Sequence, residues 1–390
     1  MSLITRLKSL FKASAPPAPD KLPTHHRLVS GPKASLPFNR KQVVQQVRFE
    51  LARNPDVAGM LNTLAAMTIS SGPRADDDTF NAYADQIGLV ELLFQSRVAK
   101  ARDGEIFWLL VESDGQVLPL LIEAEQVTDF GQMVQQNHDG IIVDELGRPV
   151  EYHILANHPE SMLPVWERIS YPASQVLHYR AVSRTSQIRG ISELYPALPY
   201  ISMLSRLTEA AVRTAEIHAS LSGALKSDVV PGSEQLVAEP FERIEVPQGG
   251  LLALPAGWEL QTFPQTQRNL ELTEIRSALL KSIGRCLGLP AHLALGDSSA
   301  YNFSSARLDH LTFRELIRRE RKLIERTILN PLYMAFSFGR VLEGERVQLP
   351  TWQWPPSQII DAETEVGAIG QAIEIGLTTV EEERAKWQGF

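Results

Sequence analysis

Cysteine is almost missing from this chain of 390 residues: Cys286 stands alone, which excludes an intrachain disulfide and any multi-cysteine zinc site. That scarcity fits a reducing compartment. Long apolar runs are missing too, and nothing reaches the roughly 18 consecutive apolar residues of a spanning helix, so no membrane partner is expected. Basic residues are in deficit: 38 Lys and Arg against 46 Asp and Glu leave a net charge of −8. That balance argues against a protein that wraps nucleic acid with a basic surface. Enzyme signatures are absent as well: no G-x-x-x-x-G-K-S/T loop, no G-x-G-x-x-G after a strand, no G-x-S-x-G elbow and no H-E-x-x-H. His25 and His26 adjoin, but in a Pro-rich stretch that offers no rigid framework for a metal. His138, His153 and His158 lack metal-ligand spacing, and Cys286 lies in an apolar helical stretch where a thiol serves as a small packed hydrophobe. The chain therefore reads as a non-enzyme without catalytic residue, cofactor or metal.

What is present is a composition of 44% apolar and 22% charged residues, ordinary for a soluble globular protein. The charge is unevenly sorted. Residues 1–53 hold ten basic residues against two acids, a local +8, so the other 337 carry −16. Residues 1–12 form a basic amphipathic segment with Leu3, Leu7, Leu10 and Phe11 on one side, which reads as an arm that docks on a neighbour. Six prolines from Pro16 to Pro37 follow and exclude a helix there.

From Lys41 apolar residues recur at three- and four-residue intervals, with Asn54-Pro55 restarting the helix and Gly72-Pro73 ending it. A second helix is expected over about Asp78–Ala101. Extended segments follow at Ile106–Glu112, Val117–Ile122, Gly140–Asp144, Pro149–Leu155 and Gln175–Tyr179, forming a small antiparallel sheet beside helices. Residues 194–225 read as an Ala-rich helix, 227–265 as β-like, and Leu270–Leu287 as another helix. A loop opens at Leu289-Pro290 and runs through Ser299. The last long helix starts near Ser304, continues to about Phe338 and kinks at Pro331. Short helices near 361–375 and 378–387 finish the chain, and Glu381-Glu382-Glu383 reads as a solvated face. Two helices flanking a β excursion make a stalk with a tip. Isolated helices are marginal without packing, which implies an oligomer.

The loop Asp297, Ser298, Ser299, Ala300, Tyr301, Asn302 is small and polar, suited to a mobile or cavity-lining role, while Ser304 or Ser305 can cap the helix behind it. That helix carries seven basic residues against four acids, Asp309, Glu315, Glu320 and Glu325, interspersed so that pairing within the helix or between subunits is favoured over phosphate contact. On the first stalk helix Arg213 is placed to pair with Glu209 and Glu216 in the same way.

Three islands in this order resemble the portal proteins of tailed bacteriophages, particularly the lambda-like branch. They are Gln187-Ile188-Arg189-Gly190-Ile191-Ser192; Gly296-Asp297 with Tyr301-Asn302-Phe303-Ser304-Ser305-Ala306-Arg307; and Asp361-Ala362-Glu363-Thr364-Glu365 with Ile375-Gly376-Leu377-Thr378-Thr379 and Gly389. The resemblance implies an α+β, mainly helical subunit that assembles into a ring. Its parts would be a basic, Pro-rich N-terminal arm (1–39), a wing (40–189), a first stem helix (190–226), a clip (227–265), a second stem helix (266–288), a tunnel loop (289–303), a long kinked helix with wing return (304–356) and a small crown (357–390).

It further implies a homo-oligomeric ring, commonly of twelve subunits, at one capsid vertex of the virion, assembled in the host cytoplasm. The partners implied are double-stranded DNA passing without sequence specificity, the terminase large subunit, the major capsid protein and the head–tail connector. Residues 297–302 would face the channel. Gln187, Arg189, Gly190, Ser304, Ser305 and Arg307 would be structural. The clip, with six acids and one Arg, would dock protein partners through Glu239, Glu242 and Glu245. A channel that lets a polyanion slide should hold few phosphate-binding cations, and residues 289–303 contain no Lys or Arg. The competing readings are a nucleic-acid-acting phage enzyme and another capsid-associated structural protein.

Overall fold

The computed structural model describes residues 40–129, 138–159, 161, 167–185, 187–220, 224–227, 258–261, 266–299, 303–355 and 362–387. Four helices come first: α1 (Arg40–Arg53), α2 (Pro55–Ile69), α3 (Asp78–Gln86) and α4 (Leu89–Asp103). Local chemistry sets their starts. The Asn54 side chain accepts from the Val57 amide, with Pro55 in the first turn, and Asp77 accepts from the Thr79 and Phe80 amides at the head of α3. The single helix expected over Asp78–Ala101 is in fact two, because Gly88 turns left-handed (φ 64°) between them.

A sheet of order β2-β1-β6 follows, built from β1 (Glu105–Ser113), β2 (Gln116–Glu123) and β6 (Val176–Arg180). The β1–β2 hairpin turns on Asp114 and Gly115, both at positive φ, as a two-residue hairpin loop requires. A second sheet of order β3-β4-β5 holds β3 (Ile141–Val143), β4 (Pro149–Leu155) and β5 (Arg168–Pro172). The sequence therefore encodes two antiparallel sheets where one was expected. Strand β5 escaped detection because it is only five residues long and mostly exposed, with no more than Ile169 and Tyr171 as its apolar alternation.

Strand β1 is buried on both faces. Phe107 and Leu109 pack between the sheets with Ile141, Tyr152 and Ile154, while Ile106 and Trp108 pack towards α4. The indole of Trp108 is satisfied by Ser96 Oγ at 2.8 Å.

Helix α5 (Leu198–Ser220) is followed by the antiparallel pair β7 (Ala224–Ser227) and β8 (Trp258–Gln261), and α6 (Thr266–Cys286) packs beside α5. The expected helix end at residue 225 is corrected to Ser220, because the chain is already pairing as β7 by Ala224. A five-residue helix, α7 (Ala291–Leu295), precedes α8 (Phe303–Ile324). One apolar core joins α1 and α2 to α5, α6 and α8 through Val47, Leu64, Ile201, Ile283 and Phe313.

The expected break near Pro331 takes the form of a π turn at Glu325–Leu329, where the Asn330 amide reaches back to the Glu325 carbonyl, before α9 (Asn330–Phe336). Pro331 cannot donate a hydrogen bond and would crowd the preceding turn, and the extra residue of the π turn makes room for it. Short α10 (Phe338–Leu342), then α11 (Ala362–Glu374) and α12 (Val380–Trp387), complete the chain. No helix among the described residues is long and apolar enough to cross a membrane.

Candidate functional site: an exposed loop on a buried ionic frame

The 289–303 segment begins as a packed corner rather than as free loop. Ala294 belongs to the core, and a side chain on Gly284 of α6 would strike its methyl group. Gly288 turns left-handed (φ 71°) against Leu316 of α8, where a Cβ would overlap a leucine methyl. His292 is buried, and its ring lies 4.9 Å from that of His310 on α8. Burial lowers the pKa of both, the adjacent ring lowering that of His310 further. Beyond this root the chain emerges at Gly296, and Asp297, Ser298 and Ser299 are exposed. Asp297 accepts from the Ser299 amide at 2.8 Å, and that bond lowers its pKa. Ala300, Tyr301 and Asn302 lie outside the described residues. Helix α8 begins at Phe303, so Ser304 and Ser305 sit in its first turn rather than at its cap; Arg307 follows one turn on. A cap must have non-helical backbone, which neither serine has.

The Gln187–Ser192 island occupies a different place, at the crossing between the α4–β1 corner and the loops of the second sheet. Arg189 is 1% exposed, and Glu105 beside it is fully buried. Arg189 Nε donates to Glu105 Oε1 at 2.7 Å, Nη2 to the Ala124 carbonyl at 2.9 Å and Nη1 to the Val127 carbonyl at 3.0 Å, with the Asp139 carbonyl also within its reach. Its guanidinium lies over the Phe107 ring. Glu105 further accepts from the Gly190 amide at 2.5 Å and from His178 Nε2 at 2.9 Å, and Arg40 Nη1 stands 3.2 Å away. Burial alone would raise the Glu105 pKa. The Arg189 charge, the His178 hydrogen bond and Arg40 outweigh it and hold the carboxyl far below its usual range. Burial presses His178 down to about 4, so the ring is neutral and its Nε2 carries the proton given to Glu105.

Gly190 is required sterically, since a Cβ there would fall on the Gly104 carbonyl, and Gly104 (φ 92°) faces the Ile191 backbone just as closely. The Gln187 amide accepts from Ser183 N and Oγ and donates to the Ala181 and Arg189 carbonyls at 3.0 and 2.8 Å. The island is thus a latch with its polar groups satisfied. The sequence marks it but does not point to its partner Glu105, 84 positions away.

A second buried network ties the long helix to the same frame. Glu320 of α8 accepts from Lys100 at 2.5 Å and from the Tyr179 hydroxyl, while Arg97 and Lys100 also pair with Glu193 at 3.0 and 3.3 Å. Burial opposes the Glu320 charge, but Lys100 and Arg97 prevail and lower its pKa. The expectation that the charges of this helix pair within it or between subunits is therefore corrected for Glu320, whose partner lies 220 positions away. Arg321 likewise turns inward, donating to the Thr68 and Pro355 carbonyls. On α5, Glu209 pairs with Arg53 of α1 at 3.1 Å.

Three other expectations change. Cys286 is exposed rather than packed. His158 does come together with Glu123 and Glu125 closely enough to suggest a cation site. Arg48 already supplies the positive charge there, donating to Glu123 at 2.8 Å and to Glu125 at 3.0 Å. Finally, Glu382 is not merely solvated: its backbone N donates to Thr379 Oγ1 and its carboxylate accepts from Thr379 N, a reciprocal helix cap. Glu239, Glu242 and Glu245 lie outside the described residues.

Residues 87–321 match the family model described as phage portal protein, lambda family. That span is more than half of the chain, and the chain belongs to this family. It is accordingly a structural protein with the function of a portal channel. Among solved structures, a chain in the neck of a native gene transfer agent (GTA) particle computed with C12 symmetry is 16% identical, with a TM-score of 0.59 over 88% of this chain and 92% of that one. A chain from the neck of an empty GTA particle computed with C6 symmetry gives 14% and 0.58 over 88% and 93%. A chain from the virion of the native particle gives 15% and 0.55 over 88% and 92%. At such identities the likeness is one of fold, a mainly helical architecture carrying small sheets.

Proposed function

We propose that twelve copies of this chain close into a ring at one vertex of the capsid, around a channel through which double-stranded DNA enters and leaves. On this reading the clip docks the terminase large subunit and then the head–tail connector, the wing meets the major capsid protein, and assembly takes place in the host cytoplasm. The observation that carries it is the family match across 87–321, within which an exposed, cation-free tip at 297–299 stands on a tightly packed root. Identical subunits making head-to-tail contacts form a closed ring when the rotation closes, and the neck of the native GTA particle, computed with C12 symmetry, has twelvefold order. A tip without Lys or Arg gives DNA few phosphate anchors, so sliding meets little salt-dependent affinity.

Native mass spectrometry and negative-stain imaging of the full chain test the ring: closed rings of twelve are expected, and a compact monomer at micromolar concentration would overturn it. Deleting Asp297–Asn302 should leave rings intact while impairing DNA packaging or retention; normal packaging removes the channel role of the loop. Reversing Glu242 and Glu245 to Lys should weaken capture of terminase or connector more than ring assembly, and unchanged capture refutes clip docking.

A further inference from the structure

The C-terminal pair α11 and α12 is under-buried. Among its described residues from Val366 to Arg384 none is fully buried, although Val366, Ile369, Ile373 and Val380 line an apolar groove of about 230 Å³ bordered by Glu383 and Arg384. Val366 and Val380 are 57% and 46% exposed, and Ile375 and Leu377, between the helices, more so. A two-helix unit with so little buried apolar surface needs an external partner to hold its helices.

Its charge indicates which. Residues 362–387 hold six acids against two bases, a net of −4. Residues 1–12 hold Arg6, Lys8 and Lys12 with no acid, a net of +3, and place Leu3, Leu7, Leu10 and Phe11 at helical spacing. Between this segment and α1 lie residues 13–39, long enough when extended to span roughly 90 Å at 3.3 Å per residue. The two pieces are complementary in both apolar stripe and sign of charge.

We propose that the basic N-terminal segment 1–12 of this chain docks into the apolar groove of the C-terminal helix pair, its leucines against Val366, Ile369 and Ile373 and its cations towards the surrounding acids. Docking onto the same subunit or onto a neighbour uses the same chemistry, and the proposal stands whether or not the copies close into a ring.

Disulfide trapping in the full chain tests it, in a Cys286→Ser background. Leu10→Cys combined with Ile373→Cys should cross-link on mild oxidation well above a control joining Leu10→Cys to Leu146→Cys, a site 77% exposed on the β3–β4 turn. The mass of the product tells a link within one chain from a link between chains. Adding Leu7→Asp should lower the yield about tenfold or more, because it pushes a carboxylate into an apolar groove, and raising salt should lower it further. Yield no better than control overturns the proposal, as does insensitivity to Leu7→Asp. Cross-linking of Ile373→Cys to itself in preference to Leu10→Cys would place a second copy of the helix pair in the groove, and also overturns it. Native mass spectrometry of the same samples reports ring assembly separately.

Discussion

The Arg189–Glu105 latch and the C-terminal helix pair use charge in opposite ways. In the latch, charges are buried and satisfied by groups from distant parts of one chain: Arg40, Glu105, His178 and Arg189 converge with the carbonyls of residues 124 and 127. In the helix pair, apolar side chains stay half-exposed around a groove that Glu383 and Arg384 border. A region finished by its own chain should fail when any internal partner is lost, whereas a region that awaits a partner should tolerate substitution until the partner is tested. The exposed tip at 297–299 belongs with the second kind.

The largest effect should come from Arg189→Met. It leaves Glu105 with less of its compensating charge, and breaking a buried pair costs about 3–5 kcal/mol. A fall of that size in urea-unfolding stability is expected, with Gly190→Ala similarly damaging because its Cβ has no space. A change below 1 kcal/mol, the range of exposed pairs, would reduce the latch to a surface-like contact. Next comes Glu320→Ala, which leaves Lys100 and Arg97 with Glu193 as their remaining carboxylate partner; a loss of about 3 kcal/mol is expected. Hydrogen exchange should then rise first around Tyr179 and the middle of α8. Rise confined to the α8 N-terminus would place the tie elsewhere.

Acid should act on the latch before it acts on the tip. His178 titrates near 6.5 when unfolded and at about 4 when folded, so between those values the unfolded chain binds the extra proton and stability falls as the pH falls. The loss amounts to roughly 3 kcal/mol at 1.36 kcal/mol per pH unit. Glu105 adds to it at lower pH: its folded pKa is depressed, so its contribution is present above the unfolded value near 4.5 and is lost as pH drops towards the folded one. His178→Gln should remove the upper part of this dependence and keep the lower part, read from unfolding midpoints between about pH 7 and pH 2. Smallest of all is Asp297→Ala, on the exposed tip, which should leave the unfolding midpoint unmoved and be detectable only in DNA transit. A shifted midpoint would make the tip part of the frame.

Much of this contrast can be read from residue order, and some of it cannot. The continuous apolar run of β1 shows a strand covered on both faces, and Asn54-Pro55 places a helix start without any tertiary information. Gly88 was legible as a glycine but not as a break, since a glycine inside a helical pattern is tolerated until packing demands a turn. Glu320 was misread for a related reason: three- and four-residue spacing is visible along one helix, whereas Lys100 is brought to it only by the packing of α8 on the frame.

Sequence by itself determined the presence of most helices and strands, the sorting of charge along the chain, and the three islands that mark a portal family member, because those depend on neighbours a few residues apart. Tertiary structure alone decided that Arg189 is a buried latch, that the 289–303 segment has a rigid root beneath an exposed tip, and that the C-terminal helices lack cover. Each of these depends on which distant groups exclude water from a side chain, and burial of that kind is set by the packed fold.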